Sequence, residues 1–464
     1  MKPVDCRRLL NEGPSAVGLM TSVIGSGGSI DTAVRNVAAN GGRLSRTLFT
    51  EMVRMVETKA SPGIPDALKS KLSELPQSAA GYRRAMLMCL AASETGRNDE
   101  RFRMLEDASR ISLESVREMG ESFSASLNTP CMLVFGLGIM APMILMSILP
   151  MLGVNGMFSI PGMDGGIVML ATLVLIPAVI LLVAVNLLSS NPFATGPFDL
   201  SELRLLLPLA LSVPLGVLYT FISEDMSGVF VFSVTPMAVV TLLVMLESHR
   251  RDLSDRRCEQ GLMDAVLDTG NSMLAGENFE NALCSSLTSR KECSSLGKRL
   301  ERELSLCRGR PDPAVVGCVS PISPDVSAAF VNIDRCSTID NATAGSLAVT
   351  LGRQFQNQHA TRTALGIRLK NMTDMMTGTA MFFAPLVLGL STSMMGSLAG
   401  MADVEPIEGA GAITSVYLIE LCAIIALMLS SLTGERSIGR ILWRFCIMCP
   451  VSLVVFLLLS GINL

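Results

Sequence analysis

The chain has 464 residues, of which 49% are hydrophobic and 17% charged, with a mean hydropathy of +0.48. That is too apolar for an ordinary soluble protein and too charged for one lying wholly in lipid, so part of the chain spans a bilayer and part does not. The net charge of -4 excludes little by itself, because in a membrane protein charges act through their positions.

The opening "MKPVDCRRLLNEG" carries basic residues with no sustained apolar core behind them, which predicts no cleavable signal peptide and a cytoplasmic N-terminus. "GSGGSIDTAV" at 25–34 invites a phosphate-loop reading. However, the dinucleotide fingerprint needs glycine where Ile30 stands, and no Gly-Lys-Ser/Thr follows at P-loop spacing. The alternative is a turn followed by a helix, with Ser29 as cap, Asp31 in the first turn, and Ala33 and Val34 opening an apolar face.

Between Arg43 and Lys59, apolar residues from Leu44 to Val56 recur at helical spacing, which predicts an amphipathic helix. "SPGIPDALKSKLSELPQS" at 61–78 reads as a proline-punctuated connection with one short helix, and "AMLMCLAA" at 85–92 as a buried helix too short to span. No alternating pattern competes, so residues 1–128 read as an all-helical cytoplasmic domain.

Seven runs approach the roughly 20 residues needed to cross the hydrocarbon core. They lie near 131–152, 166–188, 205–222, 228–246, 379–400, 411–431 and 441–460, and prolines inside them predict kinks. With the N-terminus inside, residues 153–165, 223–227 and 401–410 face outward. Those stretches hold none of the 37 Lys and Arg but do hold Asp164, Glu224, Asp225, Asp403, Glu405 and Glu408. The basic residues all fall on the inner side, including Arg204, Arg436, Arg440 and Arg444, as the positive-inside rule demands of a multi-pass protein of the cytoplasmic membrane.

A second soluble segment, 247–376, has helical patterns near 253–308 and 340–375 around a break at "RGRPDPAVVGCVSPISPD". The membrane segments are then 129–246 and 377–464. "SGGSIDTAV" at 26–34 matches "AGENFENAL" at 275–283, pairing Gly27 with Gly276, Ser29 with Asn278 as cap, Ile30 with Phe279, Asp31 with Glu280 and Ala33 with Ala282. The same offset pairs Gly96 with Gly345 and Met132 with Met381, which predicts a repeated architecture with drifted sequence. The fold class is therefore an all-α integral membrane protein with two repeated helical-bundle cytoplasmic domains and about seven membrane helices.

The chemistry-bearing residues are sparse. The 12 cysteines fall in inner or membrane segments and read as reduced thiols, and Cys446 and Cys449 lie inside the seventh span as core packing. His249 and His359 are isolated, so no metal site, catalytic residue or cofactor is expected. Glu420, near the middle of the sixth span, is expensive in lipid. It either hydrogen-bonds to a Ser, Thr or backbone carbonyl, or serves subunit contact or a proton-linked role. Met140, Met143 and Met146 fill the core or make an adaptable surface.

A duplicated helical cytoplasmic domain leading twice into membrane helices resembles the type II secretion system F domain family. These are the platform proteins of type IV pili, tight-adherence pili and the archaellum. The likeness is carried by the turn-helix pair, by "ASETGRNDERFRMLEDAS" at 92–109 through Glu94 and Gly96, and by "ATAGSLAVTLGRQ" at 342–354 through Gly345. Ser93 stands where the family has glycine, and Thr343 where it has the acid. The extra spans place the layout closer to archaeal members.

The resemblance implies a non-enzymatic platform in the bilayer, homo-oligomeric with a dimer as the first expectation. Such a platform couples a cytoplasmic hexameric secretion ATPase to the insertion of pilin-like subunits into a filament, with no role for nucleic acid. Three cationic groups then offer docking for an acidic ATPase face: Arg83 and Arg84; Arg250, Arg251, Arg256 and Arg257; and Lys298, Arg299 and Arg302. The second group can equally be snorkelling anchors and the third a solvated helix face. A secondary transporter is the alternative, disfavoured by two copies in one orientation with more than half the chain outside the bilayer. A receptor is disfavoured by its short outer loops.

Overall fold

The computed structural model describes residues 3–145, 171–193, 207–220, 226–307, 311–338, 340–402, 410–434 and 437–460. Among these the chain is helical, with connecting turns and no strand. The helices are α1 (Pro3–Gly25), α2 (Ile30–Asn40), α3 (Arg43–Glu57), α4 (Ile64–Ser73), α5 (Ala80–Glu94), α6 (Asn98–Ser126), α7 (Asn128–Phe135), α8 (Ile176–Ser190), α9 (Leu207–Ala210) and α10 (Ser212–Thr220). They continue with α11 (Met226–Leu274), α12 (Phe279–Ser289), α13 (Ser294–Leu306), α14 (Pro311–Val319), α15 (Pro324–Ser337), α16 (Asn341–Gly378), α17 (Ala384–Ala402), α18 (Ala410–Thr433) and α19 (Ile438–Ser460).

The chain divides into two compact units. The first gathers Met1–Glu121 with Arg250–Leu365, and the second gathers Ser122–His249 with Gly366–Leu464. The boundaries fall inside α6, α11 and α16.

In the first unit, α1 is largely buried. From Gly13 to Gly25 it carries no charge, and Cys6, Leu9, Ala16, Val17, Met20 and Ile24 are all but inaccessible. It packs against α2, α3, α5 and α15. Three hydrogen bonds tie it to residues more than 300 positions later. Ser15 Oγ donates to Asp325 at 3.0 Å, Asn332 Nδ2 donates to Ser22 Oγ at 2.8 Å, and Gln354 Nε2 donates to the Pro14 carbonyl at 3.1 Å.

Residues 43–57 form the expected amphipathic helix, with Phe49 and Met52 buried. Its cap comes from elsewhere. Gly42 has no side chain to offer, and Glu12 of α1 instead accepts from the amides of Leu44 at 3.1 Å and Ser45 at 2.7 Å, satisfying two of the orphan donors at a helix start. The segment 85–92 lies in α5 with one face buried, through Ala85, Met86, Cys89, Leu90 and Ala92, while Leu87 and Ala91 are exposed, and the 61–78 connection contains α4 and leads into a 3-10 turn at Gln77–Ala79. The supposed break at 308–325 differs from expectation. It contains α14, and α15 follows directly, because Pro311 and Pro324 stand at first-turn positions, where the missing N–H costs nothing.

Asp334 on α15 is half-buried. Burial, reinforced by the carboxylates of Asp312 and Glu280, pushes its acid up to about 6, with Arg335 acting the other way. The folded chain therefore keeps this proton where the unfolded chain has lost it. The stability involved is fully present below about pH 4 and lost as pH rises through about 6. Asp334→Asn, uncharged throughout, is expected to raise the melting temperature near pH 8 and to leave it unchanged near pH 4. A pH-independent difference between the two proteins would show that the charge is not responsible.

The second unit holds the apolar spans. Among the described residues, six helices are long and apolar enough to cross a membrane. Six of the seven expected runs overlap them, and the chain is a multi-pass membrane protein. The expected third span, 205–222, is represented by the short apolar helical stretch Pro208–Thr220. Asp164, Glu224, Asp225, Asp403, Glu405, Glu408, Arg204, Arg436 and Met146 lie outside the described residues.

The prolines do more than kink these helices. π-helical turns occur at Gly136–Met140, Ala171–Leu175 and Thr379–Phe383, and each ends two residues before a proline, namely Pro142, Pro177 and Pro385. A proline lacks the N–H for the carbonyl four residues back and its ring crowds that carbonyl, so the helix widens by one residue ahead of it. At the first of these turns, the Tyr417 hydroxyl from α18 donates to the Gly138 carbonyl, the group that Pro142 leaves without its helical partner.

Candidate functional site

The glycine stretch that opened the phosphate question is a helix-ending turn. The Gly27 N–H donates to the Ile24 carbonyl at 3.0 Å and the Gly28 N–H to Val23 at 2.9 Å, with Gly27 at φ +82°. This double closure through a left-handed residue is the Schellman motif. Its two amides are occupied by protein carbonyls and are not turned toward an anion. The second turn is built alike, with Gly276 N–H to Met273 at 3.0 Å, Glu277 N–H to Ser272 at 3.1 Å and Gly276 at φ +101°.

Ser29 caps α2 by accepting from the Thr32 amide at 3.2 Å. Asn278 occupies the corresponding position before α12, but its side chain makes no capping bond, so that part of the expected match is backbone only. Here Asn341 stabilises the turn instead, donating to the Glu277 carbonyl at 2.9 Å.

Glu94 is exposed at the end of α5, and Gly96 stands between α5 and α6 with open space around it. Gly345 is inside α16, where a Cβ would lie 3.1 Å from the Leu274 amide nitrogen and 3.2 Å from the Gly270 carbonyl oxygen. The pairing of Gly96 with Gly345 therefore joins a loop glycine to a helix-crossing glycine.

The three cationic groups lie on α5, α11 and α13. Arg83 is half-buried and Arg84 exposed. Arg250, Arg251, Arg256 and Arg257 are exposed within a continuously exposed stretch, 250–257, of the 49-residue α11, with no loop between the apolar run and the charges. On α13 the amphipathic division is sharp. Leu296, Gly297 and Leu300 are buried, while Lys298, Arg299 and Arg302 are exposed on the other side. None of these three takes part in an ion pair among the described residues.

The base of α13 is held by charge. Arg290, in the turn before it, reaches Asp268 at 2.6 Å and Asp264 at 3.2 Å, both on α11, and these carboxylates raise the pKa of the guanidinium against the opposing effect of its burial. The α13 face is thus presented on a hairpin braced against α11. Sequence spacing does not show this brace, because Arg290 lies 22 residues from Asp268.

Glu420 lies on α18, which packs between α8 and α19 in the apolar interior of the second unit. It is half-buried, and its buried Oε2 has no hydrogen-bond partner among the described residues. The expected bond from a Ser, Thr or backbone group to that oxygen is not made. A carboxylate without a partner in an apolar span is costly. Glu420→Gln and Glu420→Leu are therefore expected to raise stability in detergent by about 1 kcal/mol or more, a few degrees in melting temperature. A drop for both would show that the carboxylate is held by a group such as a bound lipid.

His249 stacks on Trp443 with ring centroids 4.3 Å apart, while His359 faces Thr363 in the other unit. All twelve cysteines are free thiols, and Cys446 and Cys449 are buried in the membrane unit's core. Met140 and Met143 are half-buried. Two features carry roles that the sequence does not single out, namely Tyr417 and the Cys258–Cys293 contact. A proline inside a span was the available signal for the first, since it announces a carbonyl in need of a donor. Nothing local announces the second. No protein-family model, curated protein or solved structure matches the chain.

Proposed function

We propose that the protein is a membrane platform for assembling a type IV-like filament, which transmits the work of a cytoplasmic secretion ATPase to pilin-like subunits in the bilayer. The observation that carries this reading is the cationic face of α13. Three exposed, ion-pair-free charges are displayed by a braced helix of a compact helical unit, in a chain that is otherwise a multi-pass membrane protein. The ATPase and pilin-like partners follow from the resemblance to the type II secretion system F domain family.

The two soluble segments are, on this proposal, copies of one six-helix module, α1–α6 and α11–α16. Two Schellman turns 249 residues apart support this, as do π turns and their prolines 243 residues apart at Gly136/Thr379 and Pro142/Pro385. The register changes between the first and last helices. For this reason the constant-offset pairing of Met132 with Met381 gives way to pairing of the prolines.

The test is affinity purification of the tagged protein from native membranes, with mass spectrometry of what accompanies it. Recovery of a secretion ATPase and pilin-like subunits is expected. Reversal of Lys298, Arg299 and Arg302 to glutamate should then lower ATPase affinity roughly a hundredfold at about 1 kcal/mol per exposed charge, with an unchanged melting temperature. Recovery of neither partner, with solute movement in liposomes, would replace this reading by the transporter.

A further inference from the structure

Cys258 of α11 and Cys293, the residue preceding α13, meet inside the first unit. Their sulfurs are 3.3 Å apart, and both side chains are buried in one apolar core, at 7% and 0% exposure. The contact is built on three sides. Gly261 leaves room for the Cys293 thiol, since a Cβ there would come within 2.7 Å of it. The Cys293 Sγ also lies 3.2 Å from the Cys258 carbonyl. The Arg290 brace holds the turn that bears Cys293 against α11. From this separation only about 1.3 Å of further approach is needed to reach a disulfide bond length. The two thiols are not equivalent. The hydrogen bond between them favours the thiolate of Cys258 and holds the proton on Cys293, whose pKa is raised, with burial adding to that.

We propose that Cys258 and Cys293 are a reversible redox pair whose disulfide staples the α12–α13 hairpin to α11. The oxidant is a hydroperoxide. The Cys258 thiolate attacks one peroxide oxygen, the O–O bond breaks, and the leaving oxygen takes a proton, giving a sulfenic acid and water or an alcohol. The Cys293 sulfur then attacks the Cys258 sulfur, the S–O bond breaks, and water leaves with the remaining thiol proton. The protein loses two protons and two electrons, and the peroxide gains them. A small dithiol reverses the bond by two exchange steps. Intracellular disulfides are usually of this transient, sensing kind. Because α13 carries Lys298, Arg299 and Arg302, closure fixes their cationic face to α11, although the pair stands whether or not that face docks an ATPase.

The test uses the full chain in detergent, reduced, desalted and treated with graded hydrogen peroxide. Free thiols are then blocked with maleimide under denaturing conditions, and the peptides are weighed. The expected product is one peptide pair joined through Cys258 and Cys293, two hydrogens lighter than its parts. It should form before the other cysteines react, vanish with dithiothreitol, and accompany a rise in melting temperature. Cys293→Ser should instead leave Cys258 as a trapped sulfenic acid that dimedone labels. Full maleimide labelling of both residues in the wild-type chain while other cysteines oxidise would overturn the proposal. So would sulfinic acid at Cys258 with no linked peptide.

Discussion

Gly352→Leu is expected to be among the most destabilising single substitutions in the chain, at about 3 kcal/mol or more. Helices α11 and α16 cross almost backbone to backbone. A Cβ at Gly352 would lie 2.8 Å from the Cα, Cβ and amide nitrogen of Leu267. One at Gly270 would lie 2.7 Å from the Val349 nitrogen, and one at Gly345 3.1 Å from the Leu274 nitrogen. These obstacles are mainly backbone atoms, which cannot rotate aside, so the helices must separate and release Leu347 and Leu351 from the core. The comparison that isolates the cause is Gly366→Ala on the same helix, where a Cβ meets nothing within 4 Å. There the helix gains about 1 kcal/mol from the better helix former. Thermal melts of the two variants in one detergent should move in opposite directions. A common loss would mean that α16 needs glycine for flexibility and not for proximity.

The second large effect is expected at Tyr417. Its hydroxyl is buried in the apolar core and donates to the Gly138 carbonyl, where no water can substitute. Tyr417→Phe keeps the ring and strands the carbonyl, at a cost of about 1–3 kcal/mol. The cause is the missing N–H of Pro142, so the companion variant is Pro142→Ala, which returns a backbone donor four residues beyond that carbonyl. Melting of the four proteins of this cycle should show the Tyr417→Phe penalty shrinking by at least half in the Pro142→Ala background. Full additivity would mean that the hydroxyl serves packing alone.

Much of the helical content was legible because it follows from periodicity and apolar run length, which are local. The amphipathic stretch at 43–57, the short helix within 61–78 and six of seven apolar runs all emerged from spacing within one helix. What stayed hidden depends on distant partners. Glu12 caps a helix 32 residues away, and part of the burial of α1 comes from residues beyond 320, although its uncharged Gly13–Gly25 stretch was visible. Pro311 and Pro324 suggested a break because proline ends helices more often than it begins them, and the distinction rests on first-turn position. At the candidate site, the cationic residues of α13 were readable from their spacing, whereas the Arg290 brace and the Cys258–Cys293 contact were not. Asn278 shows the converse, for the residue type of a cap was present without the bond.

The arrangement around α1 also sets a timetable. This helix is synthesised more than 300 residues ahead of its partners Asp325, Asn332 and Gln354. Translation at about 5–20 residues per second separates them by tens of seconds. During that interval the apolar spans between them are being inserted into lipid while the side of α1 that meets α15 stays uncovered. Helices α2, α3 and α5 can cover α1 early, but a nascent chain stalled before residue 325 should be more protease-sensitive in α1 than one stalled after 354.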